Sequence, residues 1–105
     1  MIGNLRKDGT NAPMIVCDVC RERITDFQMG AAVFPLGTPN GHISPVLHAH
    51  KRTCHDAADA QVREQGGTPG WDELRDHVRW LAANCGLTPA TLADDERERE
   101  VLERL

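Results

Sequence analysis

Apolar residues recur along the second half of the chain at Trp71, Leu74, Val78, Leu81 and Cys85, spaced 3, 4, 3 and 4 apart, the period of one helical face. Thr68-Pro69 gives the cap-then-proline start of a helix and Gly86 its stop. The pattern therefore predicts a helix from Thr68 to Cys85. The same Thr-Pro punctuation at Thr88-Pro89 predicts another through Ala90, Leu92 and Ala93. Upstream, Thr53 with Asp56 three positions later forms an acidic capping box, and Gly66-Gly67 supplies cheap positive φ. A helix over 54–65 follows, with Ala57, Ala58, Ala60 and Val62 offering small side chains for close packing.

Before residue 53 the period shortens. Met14-Ile15-Val16 is a strand-like run, and Ile24 to Phe27 resumes the chain beyond a tight turn. Residues 28–35 and 42–48 flank Leu36-Gly37-Thr38-Pro39-Asn40-Gly41, a stretch of turn formers, so a β-hairpin is predicted. Pro35 and Pro45 cannot donate ladder hydrogen bonds, which makes at least one strand an edge or an interrupted one. Residues 1–12 are polar, with turn signals at Asp8-Gly9 and Thr10-Asn11, and read as a flexible arm. Residues 94–105 carry no apolar face along Asp94 to Glu100 but have i,i+4 pairs, Asp95 with Arg99 and Glu100 with Arg104. They read as a charged helix or tail, with Val101, Leu102 and Leu105 able to dock elsewhere.

The expected fold class is thus α+β: one domain over 13–93, divided into a module at 13–66 and packing helices at 68–93. At 105 residues with 40% hydrophobic and 4% aromatic content, that domain has a thin core. The first residues lack the apolar run of a secretory signal, and no run reaches the roughly 18 apolar residues of a membrane span. A cytoplasmic, non-membrane protein is expected. In a reducing compartment its four cysteines favour metal ligation over disulfides.

Charge divides the chain. Residues 1–55 carry six Lys/Arg against four Asp/Glu, a net +2, whereas residues 56–105 carry six against twelve, a net −6. Three thiolates around a dication would bring the first half near neutrality. These totals favour a protein partner over nucleic acid.

The candidate chemistry lies in Cys17-Asp18-Val19-Cys20, followed by His48-Ala49-His50 and Cys54-His55. Two thiolates two residues apart can grip one ion from a tight turn, and a second pair at the mouth of a helix completes a tetrahedron. One structural zinc ion is expected, supplying roughly 10 kcal/mol or more of folding energy. His48, His50 and His55 compete for the fourth position. His48 and His50 share a face of an extended segment, while His55 is turned about 100° from Cys54 if both are helical.

A knuckle, a hairpin and a helix whose first turn returns ligands resemble, over about residues 14–66, a treble-clef zinc finger. The Cys-x-x-Cys and His-x-x-x-Cys-His motifs are also similar to those of small zinc-binding proteins of actinobacteria and their phages, in which a Trp-containing helix follows. The resemblance implies a zinc module, with Cys17 and Cys20 as first pair and His50 and Cys54 as second. Treble clefs more often use two cysteines in the second pair, so His55 and then His48 stand as alternatives to His50.

Arg21, Arg23, Lys51 and Arg52 flank the proposed ligands. They either screen the thiolates or form a patch for phosphate contacts, and four such charges are few for tight DNA binding. Trp80, about 180° from Trp71 on a helix, either packs on the zinc module or meets a partner. Cys85 reads as a small buried hydrophobe, and His42 and His77 as exposed. The expected function is that of a small accessory or regulatory protein acting through a protein partner, and a transcriptional regulator using the basic patch is the alternative. A treble-clef nuclease is the remaining one, with His48 as its only base; a closed ligand set argues against it.

Overall fold

The computed structural model describes residues 1–91. It is a mixed α+β fold with two small antiparallel sheets: strand β1 (Ile2–Lys7) pairs with β2 (Thr10–Ile15), and a three-stranded sheet has the order β4-β3-β5. The latter comprises β3 (Gly30–Leu36), β4 (Leu47–His50) and β5 (Thr68–Glu73), with helix α1 (Thr53–Glu64) between β4 and β5 and helix α2 (Leu74–Asn84) after β5. Two compact units result, the first being Met1–Arg75 and the second beginning at Asp76. Among the described residues no helix is long and apolar enough to cross a membrane.

Residues 1–12 are not the loose arm their polarity suggests. Asp8 and Gly9 both take positive φ (52° and 77°), the geometry of a two-residue hairpin turn whose twist suits paired strands. Ile2 faces Ile15 and Lys7 faces Thr10 across the ladder. Little apolar surface is buried, which is why no alternation marked these strands.

The hairpin predicted at 28–48 is present, but its second strand is displaced from 42–48 to Leu47–His50, with Pro45 left in the loop. Gly30 faces His50 and Val33 faces Leu47. α1 falls where the cap and Gly-Gly signals placed it, but Thr53 is its first helical residue rather than its cap. Arg52 stands at the cap position with φ 73° and ψ −115°, and no side chain bonds the free amides.

A larger correction concerns residues 68–73. Thr68 to Glu73 form β5, pairing antiparallel with β3 so that Trp71 faces Val33 and Gly70 faces Phe34. Gly70 opens the predicted helix poorly, and it lets the strand close on β3: a Cβ there would lie 2.5 Å from Leu36 Cδ2. Pairing along an open sheet edge outweighs the local start signal, and the helix begins only at Leu74. Trp71 therefore leaves the helical stripe and belongs to the sheet. Pro89 to Thr91 are helical, with the Thr91 amide donating to Thr88 Oγ1 at 3.3 Å, as the Thr-Pro signal predicts. The rest of that helix and the charged segment 94–105 lie outside the described residues.

The core of the first unit joins Cys17, Ala31, Val33, Ala49, Ala58 and Val62, with Val19, Ile24, Leu47 and Cys54 packed against it. Two of the cysteines singled out as ligands are thus part of the packing between α1 and the sheet.

Candidate metal centre

The knuckle is shaped by its backbone. Val16 bridges Arg23, the Cys17 amide donates to Glu22 O at 2.8 Å, and the Arg21 amide donates to Cys17 O at 3.0 Å. Arg21 adopts φ 67° to close the turn. The Cys20 amide points at Cys17 Sγ, 3.5 Å away. On the other side, β4 ends at His50, the Lys51 amide donates to Met29 O at 2.8 Å, and the positive φ of Arg52 swings the chain into α1. Cys54 is thereby set in the first helical turn.

These elements bring Cys17 Sγ, Cys20 Sγ, one ring nitrogen of His50 and Cys54 Sγ to within 4.8 Å of one another. Cys20 Sγ and His50 Nδ1 are 3.4 Å apart. Tetrahedral zinc, with bonds of about 2.3 Å to sulfur and about 2.0–2.1 Å to nitrogen, has S···N edges of about 3.6 Å and S···S edges of about 3.8 Å. The four residues can hold a metal ion, and among the described residues they form the one such cluster.

The thiols are electrostatically unequal. Burial opposes ionisation of Cys17, yet the amides of Cys20, His50 and Val19 and the His50 ring aim at its sulfur and together lower its pKa from the ordinary 9.0 to about 6. Cys54 moves the other way. Burial, and then the neighbouring sulfurs of Cys17 and Cys20, push it from 9.0 up to about 11. A site that already stabilises one thiolate while resisting another is suited to a cation that neutralises both.

The competing histidines are placed elsewhere. His48, with its side chain 12% exposed, has Nδ1 3.5 Å from Asp18 Oδ2. His55 lies edge-on to Trp71 with ring centroids 5.0 Å apart, and its Nε2 is 3.5 Å from Asp59 Oδ1. Neither joins the four-residue cluster. The spacing of the sequence gives Asp18 no role and assigns Trp71 to a helix rather than to a strand beside His55.

The four basic residues beside the cluster differ in their surroundings. Lys51 is bound to Glu73 at 2.6 Å and lies 6.0 Å from the Trp71 ring centroid. Arg21, Arg23 and Arg52 are exposed. In the second unit, Trp80 is 68% exposed and lines a groove of about 590 Å³ with Asp76, Arg79, Ala83, Leu87 and Pro89. Cys85 is exposed rather than buried, because α2 ends there in a turn that closes on Leu81 O and Ala82 O. His42 is exposed and His77 half-buried.

Comparison with protein-family models, with curated proteins and with solved structures returns no match.

Proposed function

We propose that this chain is a small zinc-binding module in which one structural zinc ion is held by Cys17, Cys20, His50 and Cys54, and that it works by binding another protein. The observation that carries the reading is the convergence of four donor atoms from the knuckle, the end of β4 and the start of α1 within 4.8 Å. Sulfur-rich donors in a closed set of four are the chemistry of structural zinc. When bound, the ion would tie three elements of the first unit together by Lewis-acid bonds. The order of knuckle, hairpin and helix supports the treble-clef reading.

A closed set leaves no coordination position for substrate or water, which speaks against the nuclease alternative. Neutralisation of Lys51 by Glu73 weakens the phosphate-binding alternative, since it removes one of four cations from the patch. The net −6 of residues 56–105 favours a partner with a basic face.

Native mass spectrometry tests the metal. One zinc per wild-type chain is expected, retained in His55→Ala and His48→Ala and lost in His50→Ala. A metal-free wild type, or a His50→Ala chain that keeps full zinc, refutes the assignment. Fluorescence anisotropy with a mixed-sequence DNA duplex at low salt tests the partner class. No binding is expected, and a complex that weakens steeply with salt and with Arg21→Ala, Arg23→Ala and Arg52→Ala transfers the proposal to nucleic acid.

A further inference from the structure

Asp18 sits between the two thiols of the knuckle but sends no ligand atom into the cluster. It reaches instead across to β4. The Asp18 amide donates to His48 O at 2.7 Å, and the His48 amide donates to Asp18 Oδ2 at 2.7 Å. These two bonds join residues 30 positions apart and engage both polar groups of one β4 residue. β4 has β3 along its other edge, so the clamp fills the edge that the sheet leaves open.

The Asp18 side chain is only 18% exposed. The same carboxylate oxygen also receives the Met1 ammonium at 2.9 Å and lies 3.5 Å from His48 Nδ1, so both the amide and the ring of His48 tie it to the strand that bears a ligand. Hydrogen bonds to a carboxylate are among the stronger ones, and deleting this acceptor would strand a part-buried amide. His48 is two residues from His50, and Asp18 is one residue from Cys17 and two from Cys20. The clamp therefore fixes the spacing between the two halves of the donor set.

We infer that Asp18 is a positioning residue for the metal: by clamping the knuckle to β4 it holds Cys17 and Cys20 at ligand distance from His50 before the ion arrives. The inference rests on the zinc reading. Partners outside the coordination sphere that orient ligands typically contribute about 10–100-fold to metal affinity. Asp18 does so through the backbone of the ligand-bearing strand rather than through a ligand side chain.

Competition titration of the full chain against a zinc-binding indicator tests it, with zinc release to excess chelator followed in parallel. Asp18→Ala is expected to lower zinc affinity about 10–100-fold and to speed release. Asp18→Asn, whose amide oxygen can still accept from His48, is expected to stay within about threefold of wild type on the same scale. The saturated cobalt forms of all three chains should share one ligand-field spectrum, showing that the ligands are unchanged while the affinity is not. Wild-type affinity in Asp18→Ala overturns the inference, as does an Asp18→Asn chain as weak as Asp18→Ala, which would assign the effect to charge rather than to the clamp.

Should Asp18→Ala fail to fold even with excess zinc, hydrogen exchange of the wild-type zinc form decides. The His48 amide is expected among the protected amides, and exchange as fast as in the 37–46 loop overturns the clamp. A wild-type chain that binds no zinc overturns the zinc reading and this inference with it, whereas normal wild-type zinc with an unimpaired Asp18→Ala overturns the inference alone.

Discussion

Gly30 offers a quantitative test of how the sheet is seated. It opens β3 opposite His50, and its φ of −115° and ψ of 149° are ordinary extended values that any residue adopts. Space is what requires glycine there. A Cβ at this position would lie 2.5 Å from Leu74 Cδ2, 3.0 Å from Leu74 Cβ and 3.2 Å from Ile24 Cγ2. Overpacking of this kind costs about 1–3 kcal/mol, and the reduced freedom of the unfolded chain returns about 0.4–1 kcal/mol.

Gly30→Ala should therefore destabilise by about 1.3 kcal/mol, the difference between the midpoints of those two ranges. Leu74→Ala, which truncates a fully buried side chain (0% exposed), should cost about 2–5 kcal/mol. In the double variant the 2.5 Å clash disappears, and only the contacts to Leu74 Cβ and Ile24 remain to be relieved by small shifts. The pair should then cost about 1 kcal/mol less than the sum of the singles. Urea unfolding at saturating zinc, so that metal linkage is common to all four proteins, reads each 1 kcal/mol as a midpoint shift of roughly 0.3–1 M. Additive costs, or a Gly30→Ala chain as stable as wild type, would show that Leu74 does not rest on Gly30 and refute the seating of α2's first residue on β3.

Two further outcomes are expected. Near pH 7.5 the Cys54 thiol, pushed to about 11, is protonated in the metal-free chain, while Cys17, lowered to about 6, is already ionised. Zinc uptake must then expel at least the Cys54 proton, and as the pH falls through about 6 the Cys17 proton as well, so affinity should fall with decreasing pH and fall more steeply below 6. Calorimetry in buffers of different ionisation enthalpy measures the protons released; none released at pH 7.5 would contradict the thiol energetics. Cys85→Ser alters an exposed thiol and should leave zinc content unchanged and stability within about 0.5 kcal/mol, whereas loss of zinc in native mass spectra would bring Cys85 into the site.

Much of the site was legible because its signals are local. Cys17 and Cys20 share one turn, Cys54 lies in the first turn of a helix bounded by Gly66-Gly67, and His50 closes the strand before it. Pairing across the sheet was not legible. Trp71 stands three positions before Leu74, which satisfies a helical period by coincidence, and only the open edge of β3 decides that residues 68–73 extend instead. Asp8-Gly9 was visible as a turn, but strands exposed on both faces carry no alternation to show that they pair. The bonds of Asp18 to His48 depend on the fold that brings residue 18 beside residue 48, and nothing in Cys-Asp-Val-Cys announces them.

The candidate metal cluster and the hydrophobic core of the first unit share residues. Of the eight buried apolar residues among those described, four are alanines and one is the candidate ligand Cys17, and Cys54 packs against the same cluster. Burying a leucine or valine side chain contributes about 1.5–3 kcal/mol, and an alanine methyl only about 0.8 kcal/mol, so this core has little apolar mass with which to hold α1 against the sheet. A structural zinc ion contributes roughly 10 kcal/mol or more in small domains, several times what any one of these side chains adds. It would also neutralise three sulfurs gathered at one point, where burial, and then the neighbouring sulfurs, push the Cys54 thiol up to about 11. The small residues at Ala31, Ala49 and Ala58 then gain a second reason. They let α1 approach the sheet closely enough for Cys54, in its first turn, to reach the sulfur of Cys17 and the ring of His50, and larger side chains there would enlarge the core at the expense of the donor geometry.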